Sequence, residues 1–87
     1  MKKSALINLY GIVQGVGMRY LVFRKASNLK LSGYVRNMID GSVKIKVEGE
    51  EASILELFDY VKQGVRWAKV EKAQINWDDY KGKYKKF

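Results

Sequence analysis

Apolar and polar positions recur with two different periods along this chain, and the changes of period mark its elements. Ser4 to Ile12 is largely apolar and predicts a first strand. From Arg19 to Leu31 the spacing widens. Leu21, Val22, Ala26 and Leu29 fall near helical intervals, with Arg24, Lys25 and Lys30 elsewhere, and Ser32-Gly33 stops this predicted helix. Tyr34 to Met38 predicts a second strand, and Asp40-Gly41 is a hairpin turn signal. Val43, Ile45 and Val47 alternate with Lys44, Lys46 and Glu48, which predicts a half-buried third strand ended by Gly49. Glu50, Glu51 and Ser53 suit the positive end of a second helix, whose stripe is Ile54, Leu55, Phe58 and Val61 and whose terminator is Gly64. Ala68 to Trp77 predicts a fourth strand. Its apolar phase moves from even to odd positions between Val70 and Ala73, which places a bulge near Glu71 and Lys72. Tyr84 to Phe87 is expected to add a short closing strand.

The resulting order is β-α-β-β-α-β. Right-handed crossovers then place both helices on one face of an antiparallel sheet of four to five strands, the ferredoxin-like α+β sandwich. No repeat, low-complexity tract or linker divides the sequence, so residues 1–87 are expected to form a single domain. That fold hosts many functions, and the chemistry must be sought in particular residues.

Two absences narrow the chemistry. The sequence has no Cys and no His. Disulfides and thiolate metal sites are excluded, and the usual general base, the usual zinc ligand and the common nucleophile dyads are missing. No metal and no cofactor are expected. Catalysis would fall to Arg, Lys, acids, amides, Ser, Tyr or backbone groups. No stretch of about 20 apolar residues is present to span a membrane. The basic start Met1-Lys2-Lys3 leads into a strand rather than a signal peptide, so a cytoplasmic protein is expected. The net charge of +8, from 17 basic and 9 acidic residues, attracts anions. Nucleic acid and small phosphorylated metabolites are both candidates, and a basic surface that only aids solubility is a third reading.

The first strand runs into a segment holding Gly11, Gly15 and Gly17, followed by Arg19 at a helix start. Glycines allow positive φ, and successive N–H groups turned inward make a nest for an anion. A helix start adds unpaired N–H groups, and an arginine fork can close the cradle. These parts describe a phosphate- or carboxylate-binding site. A glycine-rich turn with a surface arginine is the plainer alternative.

The segment Gly11-Ile12-Val13-Gln14-Gly15-Val16-Gly17-Met18-Arg19 resembles the G-x-V-Q-G-V-x-F/M-R loop of the acylphosphatase family. Gly33-Tyr34-Val35-Arg36-Asn37-Met38-Ile39-Asp40-Gly41-Ser42-Val43 resembles the family's G-x-V-x-N-x-x-D-G-x-V signature. Gly64, Ala68, Val70, Ala73 and Ile75 echo its ending more weakly. The chain departs from the common pattern at Met18, where many members carry Phe, and at Val65, where many carry Pro. Neither departure touches the residues that would do chemistry.

The resemblance implies a hydrolase of acyl phosphates that releases a carboxylate and inorganic phosphate. By that resemblance Gln14, Gly15, Val16, Gly17, Met18 and Arg19 would bind the phosphate, chiefly through backbone N–H groups. Arg19 would be the key side chain, and Asn37 would position the attacking water. Asn is no strong base, so the proton acceptor is hypothesised to be the substrate phosphate itself. Gln14 is expected to order the loop, Asp40-Gly41 to make the hairpin turn, and Arg36 to lie on an exposed strand face. Tyr20, Tyr34 and Trp67 are expected to be packing residues. A monomer is expected.

The rival reading is a ferredoxin-like nucleic-acid- or anion-binding module without catalysis. Weak, nonspecific nucleic-acid binding fits the charge. Specific RNA recognition in this fold stacks bases on aromatics of the central strands, and Ser42 to Val47 offers none.

Overall fold

Alternation and helical spacing become six elements in the computed structural model, which describes residues 1–64 and 67–87. They are β1 (Lys2–Ile12), α1 (Met18–Asn28), β2 (Ser32–Asn37), β3 (Val43–Glu50), α2 (Glu51–Lys62) and β4 (Lys69–Asp79). Val65 lies outside the described residues. The sheet order is β2-β3-β1-β4, with every neighbouring pair antiparallel. This is the ferredoxin-like arrangement.

Strand period two sorts the side chains into two faces. Ala5, Ile7 and Leu9 of β1 oppose Val47, Ile45 and Val43 of β3, and all six are buried. Met18, Val22 and Ala26 of α1 and Ile54, Leu57 and Val61 of α2 close the same core. Leu6, Asn8, Lys44 and Lys46 occupy the opposite, open face.

Four expectations about the elements need correction. The second helix buries Leu57, whereas Leu55 is 42% exposed, so the stripe runs through 54, 57 and 61. α1 ends at Asn28 rather than Leu31, because Lys30 takes φ 60° and Leu31 N–H returns to the Ala26 carbonyl. Gly49 does not end β3. It pairs with Lys3 and lies beneath Leu31, whose Cδ2 would stand 2.6 Å from an added Cβ, so the glycine serves close approach. The tail from Tyr84 to Phe87 forms no strand and meets β2 through the Gly33 N–H bonded to the Lys86 carbonyl at 3.2 Å. The β4 bulge does occur. Tyr10 pairs with Lys72 and Gly11 with Val70, leaving Glu71 as the extra residue.

The tail is held instead by a buried acid. Glu48 is 2% exposed, and its carboxylate accepts the Lys83 N–H at 2.8 Å and the Lys81 N–H at 3.2 Å. Glu48→Ala leaves both part-buried donors without this acceptor and should cost about 1–3 kcal/mol. Thermal unfolding followed by circular dichroism should show a fall of at least about 4 °C. Amide exchange at Lys81 and Lys83 should quicken before that of the core strands.

Candidate active site

The turn between β1 and α1 is built around backbone conformation. Gly15 and Gly17 take φ 73° and 83°, and a Cβ added at either would meet nothing within 4 Å. Glycine is therefore required there by left-handed backbone and not by crowding. Gly17 is the N-cap of α1 and offers no capping side chain, and the first turn holds no acid. Its carbonyl accepts the Leu21 N–H at 3.1 Å. Helix geometry leaves the preceding N–H groups of the first turn without intrahelical acceptors. Met18, 1% exposed, anchors that turn in the core, while Arg19 beside it is exposed.

The loop is then pinned to the β2–β3 hairpin. Gln14 Nε2 donates to the Met38 carbonyl at 2.7 Å and to the Ser42 carbonyl at 2.8 Å. The hairpin itself is fixed by Met38 N–H to Ser42 carbonyl at 2.9 Å and Gly41 N–H to Met38 carbonyl at 3.1 Å. Asp40 Oδ1 accepts both the Ser42 hydroxyl at 2.6 Å and the Ser42 N–H at 2.9 Å. Those two bonds, the hydroxyl first, hold the Asp40 carboxyl below its ordinary pKa.

This clamp brings the two sequence motifs together. A cavity of about 170 Å³ is lined by Val13, Gly15, Gly17, Met18, Arg19, Tyr20 and Asn37. Asn37 ends β2 opposite Val43, and its Oδ1 is buried with no hydrogen-bond partner among the described residues. A buried acceptor left unsatisfied is costly, and such atoms in folded proteins call for an explanation. Here the atom belongs to a residue that faces a glycine loop and an arginine across a space that suits a small polar guest.

Of the residues picked out in the sequence, Gly15, Gly17, Met18, Arg19 and Asn37 line this cavity; Gln14 and Val16 do not. The Gln14 side chain is spent on the hairpin, and Val16 packs against the core. Tyr20 was expected to pack, yet it is 65% exposed and forms part of the cavity wall. Trp67 is also exposed, at 72%. Tyr34 is half-buried and meets Tyr84 edge-on at 5.9 Å, as a packing residue should. Arg36 is exposed. The positive groups at this cavity are the Arg19 guanidinium and the backbone N–H dipoles of the loop.

Comparison with known proteins gives one answer. The family model described as Acylphosphatase matches residues 5–87. An acylphosphatase of Caldanaerobacter subterraneus subsp. tengcongensis is 48% identical over 87 residues, spanning 100% of this chain and 97% of that one. One of Moorella thermoacetica is 44% identical over 72 residues, 83% of this chain and 77% of its own. Among solved structures, an acylphosphatase from Bacillus subtilis superposes with a TM-score of 0.93 at 34% identity, covering 100% of this chain and 96% of that one. Full-length HypF, in a phosphate- and nucleotide-bound form, matches with a TM-score of 0.91 at 35% identity. This chain corresponds to 11% of its length.

Proposed function

The chain belongs to the acylphosphatase family, and from that premise we propose that it cleaves small acyl phosphates with the 14–19 loop, Arg19 and Asn37. The loop N–H groups and the Arg19 fork hold the phosphoryl oxygens. A water attacks phosphorus in line, the phosphorus–oxygen bond to the acyl group breaks, and the carboxylate leaves with the bonding electrons. The products are a carboxylate and inorganic phosphate. Phosphoryl transfer asks for positioning and charge stabilisation more than for covalent help, and a fixed cradle supplies both. Asn37 Oδ1 accepts a hydrogen bond from the water and orients it. The water's proton passes to a phosphoryl oxygen of the substrate. We take residues 1–87 to act as one catalytic unit, and we take the protein to act as a monomer.

The observation that carries this reading is the buried Asn37 Oδ1, without a partner among the described residues, on a residue that lines the same cavity as Arg19 and the glycine loop. The test is hydrolysis of benzoyl phosphate without added metal, followed by release of inorganic phosphate. Multiple turnovers support the reading, and a folded chain that gives none overturns it.

The pH profile follows from the same parts. With no His in the chain and the substrate as proton acceptor, kcat should be flat from about pH 5.5 to 8. Asp40 is the acid that holds the hairpin under Asn37, and its pKa is depressed. Its contribution is therefore complete above the ordinary value of 3.8 and is lost only as pH falls through the lower folded value. Loss of activity from that source belongs to strongly acid solution. A steep rise in kcat between pH 5.5 and 8 would contradict the assignment of the proton acceptor.

A second, weaker property follows from the open sheet face. Lys44 and Lys46 stand there without ion-pair partners among the described residues, and Lys72 lies 5.7 Å from the Tyr10 ring. We attribute to them a salt-sensitive, sequence-blind attraction for nucleic acid.

A further inference from the structure

A second groove, of about 270 Å³, runs along α1 beside the cavity just described. Gly17 and Tyr20 line both spaces, so the groove opens at the edge of the phosphate loop. Leu21, Arg24 and Lys25 continue it along one side of α1, and Tyr60 of α2 forms the facing wall. Because Gly17 and Tyr20 are common to both spaces, an acyl group that leaves the small cavity past Tyr20 enters this groove.

The two cations of the groove differ in what they already hold. Lys25 Nζ lies 3.1 Å from the Glu56 carboxylate and 4.8 Å from the Tyr60 ring centroid. Arg24 has no carboxylate within ion-pair distance among the described residues, and its guanidinium sits 5.8 Å from the Tyr20 ring centroid. An aromatic face steadies a guanidinium while leaving its N–H edge free for an oxyanion. Arg24 lies five residues beyond Arg19, which is about 7.5 Å along the helix axis. The groove thus pairs aromatic and aliphatic walls with one cation free of a carboxylate partner, one turn beyond Tyr20, before it ends at Asn28.

We propose that this groove receives the acyl group and that Arg24 selects acyl phosphates carrying a second carboxylate. The inference rests on the assignment of the small cavity to the phosphate. A single unengaged guanidinium matches a singly charged carboxylate through a bidentate fork. Tyr20 and Leu21 supply apolar contact for the carbon frame between the two charges. Arg24 touches neither the phosphoryl group nor the water, so it is a specificity residue.

The test compares benzoyl phosphate with 4-carboxybenzoyl phosphate on the native protein and on Arg24→Gln. In the native protein the carboxylated substrate should have the lower KM. Arg24→Gln should raise that KM about tenfold while leaving benzoyl phosphate within about twofold. Arg24→Lys should recover part of the preference. An unchanged ratio between the two substrates in Arg24→Gln overturns the proposal, and so does an equal loss on both. Calorimetric binding of benzylphosphonate and its 4-carboxy derivative separates this inference from the catalytic reading. Arg24-dependent preference for the carboxylated phosphonate sustains the groove whether or not benzoyl phosphate turns over. Turnover with no such preference removes the groove and leaves the catalytic reading in place.

Discussion

Arg19→Lys should lower kcat/KM for benzoyl phosphate by about a hundredfold or more and leave the fold intact. Both halves of that expectation come from the first turn of α1. Met18 carries the packing there and is almost wholly buried, whereas Arg19 is exposed at the cavity wall. A cation in the first turn also opposes the helix dipole, so neither residue gains stability from its charge. Lysine keeps that charge but presents a flexible point ammonium in place of a planar fork, and it cannot make two parallel hydrogen bonds to a phosphoryl group. Removing one donor from a preorganised oxyanion site commonly costs about 10²–10³ in rate. Steady-state kinetics, inhibition by inorganic phosphate and thermal unfolding together decide the matter. Rate and phosphate affinity should fall while Tm holds. Near-native kinetics would mean that the phosphate does not sit against Arg19.

Where function depends on local pattern, much of this was legible in the residues. The alternation of Val43, Ile45 and Val47 names the buried face of β3, and the phase change after Val70 locates the bulge at Glu71. The glycine loop and Asn37 are likewise readable as motifs, and the cavity lined by both holds Arg19 as well. What escaped depends on contacts between distant residues. Glu48 looks like the polar half of an alternating strand, and only the tail 33 and 35 residues further on makes it a buried clamp. Without that clamp in view, a closing strand was the natural expectation for Tyr84 to Phe87. Gln14 could be expected to order the loop, but its partners lie 24 and 28 residues away, across the hairpin. The groove beside α1 has Tyr60 of the other helix in its wall along with Tyr20, a juxtaposition that local pattern does not carry, and the expectation that Tyr20 packs has no view of it. Gly49 marks the same limit from the other side: glycine predicts a break, and the side chain of Leu31 turns it into a point of close approach.

Asn37→Ala should reduce kcat by about 10²–10³ while inorganic phosphate still binds nearly as well as to the native protein. The separation follows from the division of labour proposed for the cavity. In that proposal the loop and Arg19 hold the phosphate and Asn37 orients the water, so the substitution should remove only the water-orienting group. The same substitution should leave Tm unchanged or raise it slightly. Asn37 Oδ1 is buried without a protein partner among the described residues, so deleting it removes no hydrogen bond within the protein. The β2–β3 pairing at this position runs through the backbone, which alanine preserves. A residue retained for packing would behave in the opposite way, since its loss would lower Tm and disturb binding and turnover together. Asn37→Asp sharpens the comparison. It keeps the size and an acceptor oxygen but sets a carboxylate facing the phosphate, so phosphate affinity should fall along with rate. Equal loss of binding and turnover in the alanine variant would make Asn37 a phosphate contact instead and would return the positioning of the water to the loop. A lost kcat beside an intact phosphate site and an undiminished Tm is the combination expected of a group that acts on the water and not on the bound phosphate.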